Sequence, residues 1–370
     1  MHYAVALSEH PDPGVAVGEV VGQVLDRIGP GPDLAVVFMT GHHVSSAQEL
    51  GPTIRSTLGA QTLLGATAIS VLAHRQEVEE GAAIALWAGR TGTCRALRLK
   101  SSSAPLTNLE PGSSMVVLAD PFTYDPSLLL STVPSKVDLV GGLASASSQA
   151  GGDRLLLDDA TYADGAVAVG LPSDIGALPL VSQGCRPIGE PFTVTEAENN
   201  FLLGLAGRPA AERLRDLVSA TDEKTRILIS RGLHIGVVVD EQREVFKLGD
   251  FLIRAVQGVD LLEGWVAIGD RISVGATVQF QVRDAATAST ELRALVQPVQ
   301  ADSALVFTCN GRGANLFGRS GHDAEHFADG LSTTAVAGMF CAGEIGPIGG
   351  QHFLHGFTAS SLLFGARPLH

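Results

Sequence analysis

The 370 residues carry 25 basic and 39 acidic side chains, a formal net charge of −14. With 45% hydrophobic and 17% charged residues the chain can bury a large core, which excludes a disordered polymer. The acidic balance argues against nucleic acid or an anionic membrane as partner, since both call for a basic footprint.

Forty-three glycines against two tryptophans and three tyrosines suit an α/β chain with many tight turns. Four cysteines, Cys94, Cys185, Cys309 and Cys341, form no Cys-x-x-Cys pair and no zinc-like spacing. The N-terminal residues lack a basic segment and reach Glu9 too early for a signal peptide. The longest apolar stretches, such as 335–342, are far shorter than the roughly 20 residues that span a bilayer. A soluble, cytoplasmic protein is expected.

Val17, Val20, Val21, Val24 and Ile28 recur at helical spacing after Asp12-Pro13, and Gly29-Pro30-Gly31-Pro32 ends the run. Residues 34–39 form a short, unbroken apolar run suited to a strand buried on both faces, followed by Gly41-His42-His43. Leu50, Ile54 and Leu58 mark a second helix despite Pro52, and 62–69 and 82–88 read as strands.

This order recurs. Residues 115–119 and 304–308 open two further units, and a glycine-bearing strand follows each opening strand: Gly65, Gly141-Gly142 and Gly338. An outgoing strand preceded by Gly81, Gly165 or Gly356 completes each unit. Between 177 and 301 the texture changes. Residues 195–205 and 209–218 read as helices, then 227–229, 235–239, 251–256 and 277–282 as strands, and Leu292 and Leu295 mark a helix. Pro and Gly crowd 171–189. The expected fold is α/β, with two closely packed, related halves built from repeated strand-helix-strand-strand units, divided as 1–176 and 177–370.

Two strand ends carry chemistry. Cys309-Asn310-Gly311-Arg312-Gly313 puts a thiol, an amide and a guanidinium at the carboxyl end of a strand, where open α/β sheets bind ligands. Arg312 offers a planar fork for a carboxylate or phosphate, and the glycines expose backbone N–H groups. The alternative is a tight turn with Arg312 tied to an internal acid. Glu344, in Gly343-Glu344-Ile345-Gly346, would face Arg312 across the sheet end, receive a ligand amine, or pair with Arg312 to close the loop. The candidate ligand-binding residues are Cys309, Asn310, Gly311, Arg312, Gly313, Glu344 and Gly346.

These stretches resemble the FIST (F-box and intracellular signal transduction) family, which pairs an N-terminal and a C-terminal FIST domain. The resemblance rests on Cys309 to Gly313, Gly343 to Pro347 and Gly356-Phe357-Thr358-Ala359, with Val181 to Gly189 and Leu205 to Ala210 adding to it. Residues 64–68 and Glu77-Val78-Glu79-Glu80-Gly81 look like the family's glycine strand and acidic turn.

The resemblance implies a sensory role in which a small ligand, such as an amino acid, is bound and reported to a separate signalling protein. A second reading it implies is a haem-binding nitric oxide sensor. His42, His43, His322, His326, His352 and His355 are candidate axial ligands, although each also reads as an ordinary hydrogen-bonding side chain, and His322/His326 do not form a His-Glu-x-x-His metal motif. A third is a thiol-dependent enzyme, with Arg312 lowering the Cys309 pKa.

Overall fold

The computed structural model describes residues 2–100, 109–134, 136–243 and 245–369. It is mixed α/β and divides into two compact units, Met1–Ser182 with Leu292–His370, and Gln183–Glu291.

The first unit contains one arrangement three times. Leu34–Thr40, Ser114–Ala119 and Ser303–Cys309 are the opening strands. Each pairs in parallel with the next glycine-bearing strand, Thr62–Ala68, Asp138–Leu143 or Val336–Cys341. Each pairs on its other side, antiparallel, with Ile84–Gly89, Ala166–Leu171 or Ala359–Phe364. An edge strand completes the pattern: Tyr3–Ser8, Arg95–Leu99 or Leu178–Ser182.

The glycines have a common cause. Gly65, Gly141 and Gly338 lie in register with Val37, Val117 and Val306. A Cβ at these glycines would sit 2.6, 1.9 and 1.9 Å from the carbonyl oxygens of those valines. The opening strand approaches too closely for any side chain, so only glycine fits.

Between the glycine strand and the outgoing strand each copy sends out a hairpin, and the hairpin joins a different copy's sheet. Val71–Ala73, from the first copy, pairs with Val336–Cys341 of the third. Leu155–Leu157, from the second, pairs with Thr62–Ala68 of the first. Glu344–Ile348, from the third, pairs with Asp138–Leu143 of the second. The exchange closes in a ring, giving three six-stranded sheets of the same order.

One face of every sheet meets a shared core that includes Phe38, Trp87, Val116, Leu118, Phe307 and Phe364. The other face is covered by that sheet's own helices. Leu156, Ile345 and Leu72 each enter the helix-side core of the sheet their hairpin joins. Strands buried on both faces need unbroken apolar runs, which explains why they stand out in the sequence.

The second unit, Gln183–Glu291, intervenes in the chain between the edge strand and the opening strand of the third copy. Among the described residues its strands pair only antiparallel, and the pairing of Leu233–Val238 with Thr277–Arg283 closes them into a ring. Residues 195–205, which read as helical, form instead a hairpin of Phe192–Glu198 and Phe201–Leu205. Asn199, with φ 53°, makes the turn. Residues 227–229, which read as a strand, lie in the helix Glu223–Arg231, started by Asp222 accepting from Thr225 N. Among the described residues no helix is long and apolar enough to cross a membrane.

Candidate functional site

Cys309 ends its strand, and Asn310 to Gly313 lead into the short helix Ala314–Phe317. Arg312 lies fully buried in this turn. Its Nε donates to Asp323 Oδ2 at 2.7 Å and its Nη2 to Oδ1 at 2.8 Å. The two-pronged pair is the strong form of this interaction. Thr308 Oγ1 donates to the same carboxylate at 2.6 Å and His322 Nδ1 at 2.8 Å. Burial pushes the Asp323 carboxyl up, but Arg312 and these donors outweigh it and hold it well below the usual range. The internal acid is Asp323, and it fills the guanidinium fork.

The backbone N–H groups are filled in the same way. The first-copy hairpin brings the acidic turn, residues 77–80, beside the third copy. Glu77 accepts from Gly321 N and Asp323 N at 2.8 Å and from Ala324 N at 3.0 Å, which caps the helix His322–Leu331. Burial, then the Asp323 charge, push Glu77 up to about 7 despite those donors. Glu79 accepts from Ala314 N through both carboxylate oxygens at 3.0 Å. Gly313, with φ 58°, lies so close to it that a Cβ would stand 2.7 Å from the carboxylate. The anion-binding features of this loop are therefore occupied by the chain's own carboxylates.

Glu344 is also fully buried, but it is not ion-paired to Arg312 among the described residues. Its Oε2 accepts from Thr358 N at 3.1 Å and Thr358 Oγ1 at 2.9 Å, and the Cys309 thiol also hydrogen-bonds to this carboxyl. Burial pushes it up to about 8. Gly346 is a packing glycine: a Cβ there would meet Ser360 Oγ and Val181 Cγ2 at 2.6 Å. Its carbonyl hydrogen-bonds His355 Nε2 at 2.9 Å.

Asn310 alone of the seven candidates lines an open cavity of about 730 Å³ at this strand end. Its side-chain oxygen has no hydrogen-bond partner among the described residues. The other polar walls include Asn315, Glu77, Glu79, Glu80 and Arg75. The sequence reading missed Glu77, Glu79 and Asp323 as parts of this site. The acidic turn was visible as three carboxylates in a row of five, but nothing local links it to residues more than 230 positions away.

The histidines lie apart from this cavity or are engaged beside it. His322 stacks between Phe317 and His326 and bonds Asp323. His326 Nδ1 bonds His322 O at 2.8 Å. His42 lines a second cavity of about 560 Å³, but Glu79 and Glu80 also face it. Two carboxylates beside a would-be axial ligand do not suit haem, whose ring needs an apolar slot and whose propionates are anionic.

Fold and cavity together define an α/β protein of threefold repeated sheets with a polar recess at a parallel strand end. Residues 33–208 match the FIST N domain and residues 210–347 the FIST C domain. The chain belongs to the FIST family, a sensory family of signal transduction. It is 38% identical over 382 residues to the uncharacterized protein Mb0898c of Mycobacterium bovis, covering 98% of this chain and 99% of that one. The same identity and share of this chain hold for MT0656 of Mycobacterium tuberculosis, which is covered in full.

Proposed function

We propose that the protein is a small-ligand-binding sensor whose ligand enters the cavity beside Asn310 and carries an amine, as an amino acid does. The observation that carries this reading is the cavity itself, sized for a small molecule and walled by more carboxylates than cations. A purely anionic ligand is disfavoured, because Asp323, Glu77 and Glu79 already fill Arg312 and the helix N–H groups. The unpartnered Asn310 oxygen supplies an acceptor, and Asn315 supplies further hydrogen-bonding groups. Signalling would pass to a separate partner protein.

The test is thermal denaturation with each of the twenty standard amino acids, their decarboxylated amines and their N-acetyl derivatives. A ligand at a hundred times its Kd stabilises by about 2.7 kcal/mol, a shift of several degrees. The amine forms should stabilise, N-acetylation should abolish the effect, and Asn310→Ala should reduce it. Equal stabilisation by N-acetylated or amine-free acids would refute the assignment.

A further inference from the structure

The ends of two neighbouring parallel strands each carry a cysteine that the ligand cavity does not use. Cys309 and Cys341 are register partners. Adjacent strands lie about 4.8 Å apart, inside the roughly 4.4–6.8 Å Cα separation that a disulfide spans. Alternation fixes the facing: Leu305 and Phe307 on one strand, and Ala337, Met339 and Cys341 on the other, all enter the shared core. Cys309 continues the first series, so both thiols project from the same side of the sheet.

Neither is in a disulfide. Cys341 Sγ occupies space that exists only because residue 142 is glycine, where a Cβ would lie 2.3 Å from the sulfur. Cys309 Sγ accepts from Gly311 N at 3.4 Å. The backbone separation already suits a bond, so closure is a matter of side-chain rotation. Glu344 is the third member of the group, hydrogen-bonded to the Cys309 thiol. Cys341 feels the charges of both Glu344 and Cys309.

We propose that Cys309 and Cys341 are a dithiol site oxidised to a disulfide by hydroperoxides, with Glu344 accepting the Cys309 proton. Cys309, 9% exposed against 0% for Cys341, is the thiol that meets the oxidant. In the molecules whose Glu344 is ionised, a fraction that grows as pH rises through about 8, the Cys309 proton passes to Glu344 as the sulfur attacks the terminal oxygen of ROOH. The O–O bond breaks, ROH leaves with the proton returned by Glu344, and Cys309 becomes a sulfenic acid. Cys341 sulfur then attacks Cys309 sulfur, the S–O bond breaks, and water departs with the Cys341 proton. Two thiols lose two electrons in all, and the hydroperoxide is reduced to an alcohol and water. The bond joins the strand ends whose neighbouring residues, Phe340 and Asn310, line the ligand cavity. The assignment stands apart from the choice of ligand.

The full chain is treated with hydrogen peroxide, then unfolded, alkylated with N-ethylmaleimide and mapped by mass spectrometry after trypsin. The expected result is a fall from four alkylated cysteines to two, with one cross-linked peptide joining Cys309 and Cys341. Glu344→Gln should slow the oxidation about tenfold or more, and Cys341→Ser should leave Cys309 as a sulfenic acid trapped by dimedone. A bond to Cys94 or Cys185, or sulfinic acid at Cys309 with Cys341 still alkylated, would overturn the pairing. Unchanged oxidation in Glu344→Gln would overturn the proton transfer. The wild-type map decides the pairing even if a variant fails to fold.

Discussion

Arg312→Met removes the cation from a pair in which both side chains are wholly buried. Asp323 keeps its hydrogen bonds from Thr308 and His322, but its charge is left without a counterion in the interior. Losing one partner of a buried pair costs about 3–5 kcal/mol, a large part of a typical stability of about 5–15 kcal/mol. Arg312→Met/Asp323→Asn removes both charges while the amide still offers an acceptor to Thr308. That double variant should lose only about 1–2 kcal/mol, so the second substitution rescues the first. Urea unfolding followed by tryptophan fluorescence reads this directly. In a Trp265→Phe background Trp87 is the only indole left, and it lies in the core shared by the three sheets. A loss below about 1 kcal/mol for Arg312→Met, or a double variant less stable than the single one, would refute the structural role of this arginine.

Stability should also depend on Glu344 in a direction opposite to that of most carboxylates. Its folded pKa of about 8 lies above the ordinary 4.5, so between these values the folded state binds more protons than the unfolded state. Stability from this group is complete below about pH 4.5 and is lost as pH rises through 8, by a few kcal/mol in order of magnitude. Glu77, pushed up to about 7, acts in the same sense. Glu344→Gln, which still accepts from Thr358, should flatten this slope in unfolding measured from pH 5 to 8.5; an unchanged slope would exclude Glu344 as its source. Gly338→Ala would place a methyl 1.9 Å from Val306 O and should part the central strands of the third copy. A loss of about 3 kcal/mol or more is expected, against a gain of about 0.5–1 kcal/mol for Gly18→Ala, in the interior of the helix Pro13–Ile28 with nothing within 4 Å. Equal stability of these two variants would show that the close strand approach is absent.

Much of the architecture was legible because buried parallel strands must be apolar throughout and because the close strand contact leaves glycine no substitute. The runs at 34–39, 115–119 and 304–308, and the glycines after them, are one physical requirement written three times. The inserted unit was less legible. A strand exposed on one face carries a weaker pattern, so 195–205 passed for a helix until Asn199 turned it into a hairpin.

The site divides the same way. That Cys309 to Gly313 ends a strand in a glycine-rich turn followed from the residues alone. Which group Arg312 would meet did not, because Asp323 is brought to it by a helix packed over the sheet. Glu77 and Glu79 arrive on a hairpin exchanged between copies. Strand identity is a local property, set by side-chain polarity and backbone sterics. Partner choice at a buried charge depends on which distant segments the sheets bring together, and the ring of exchanged hairpins decided that.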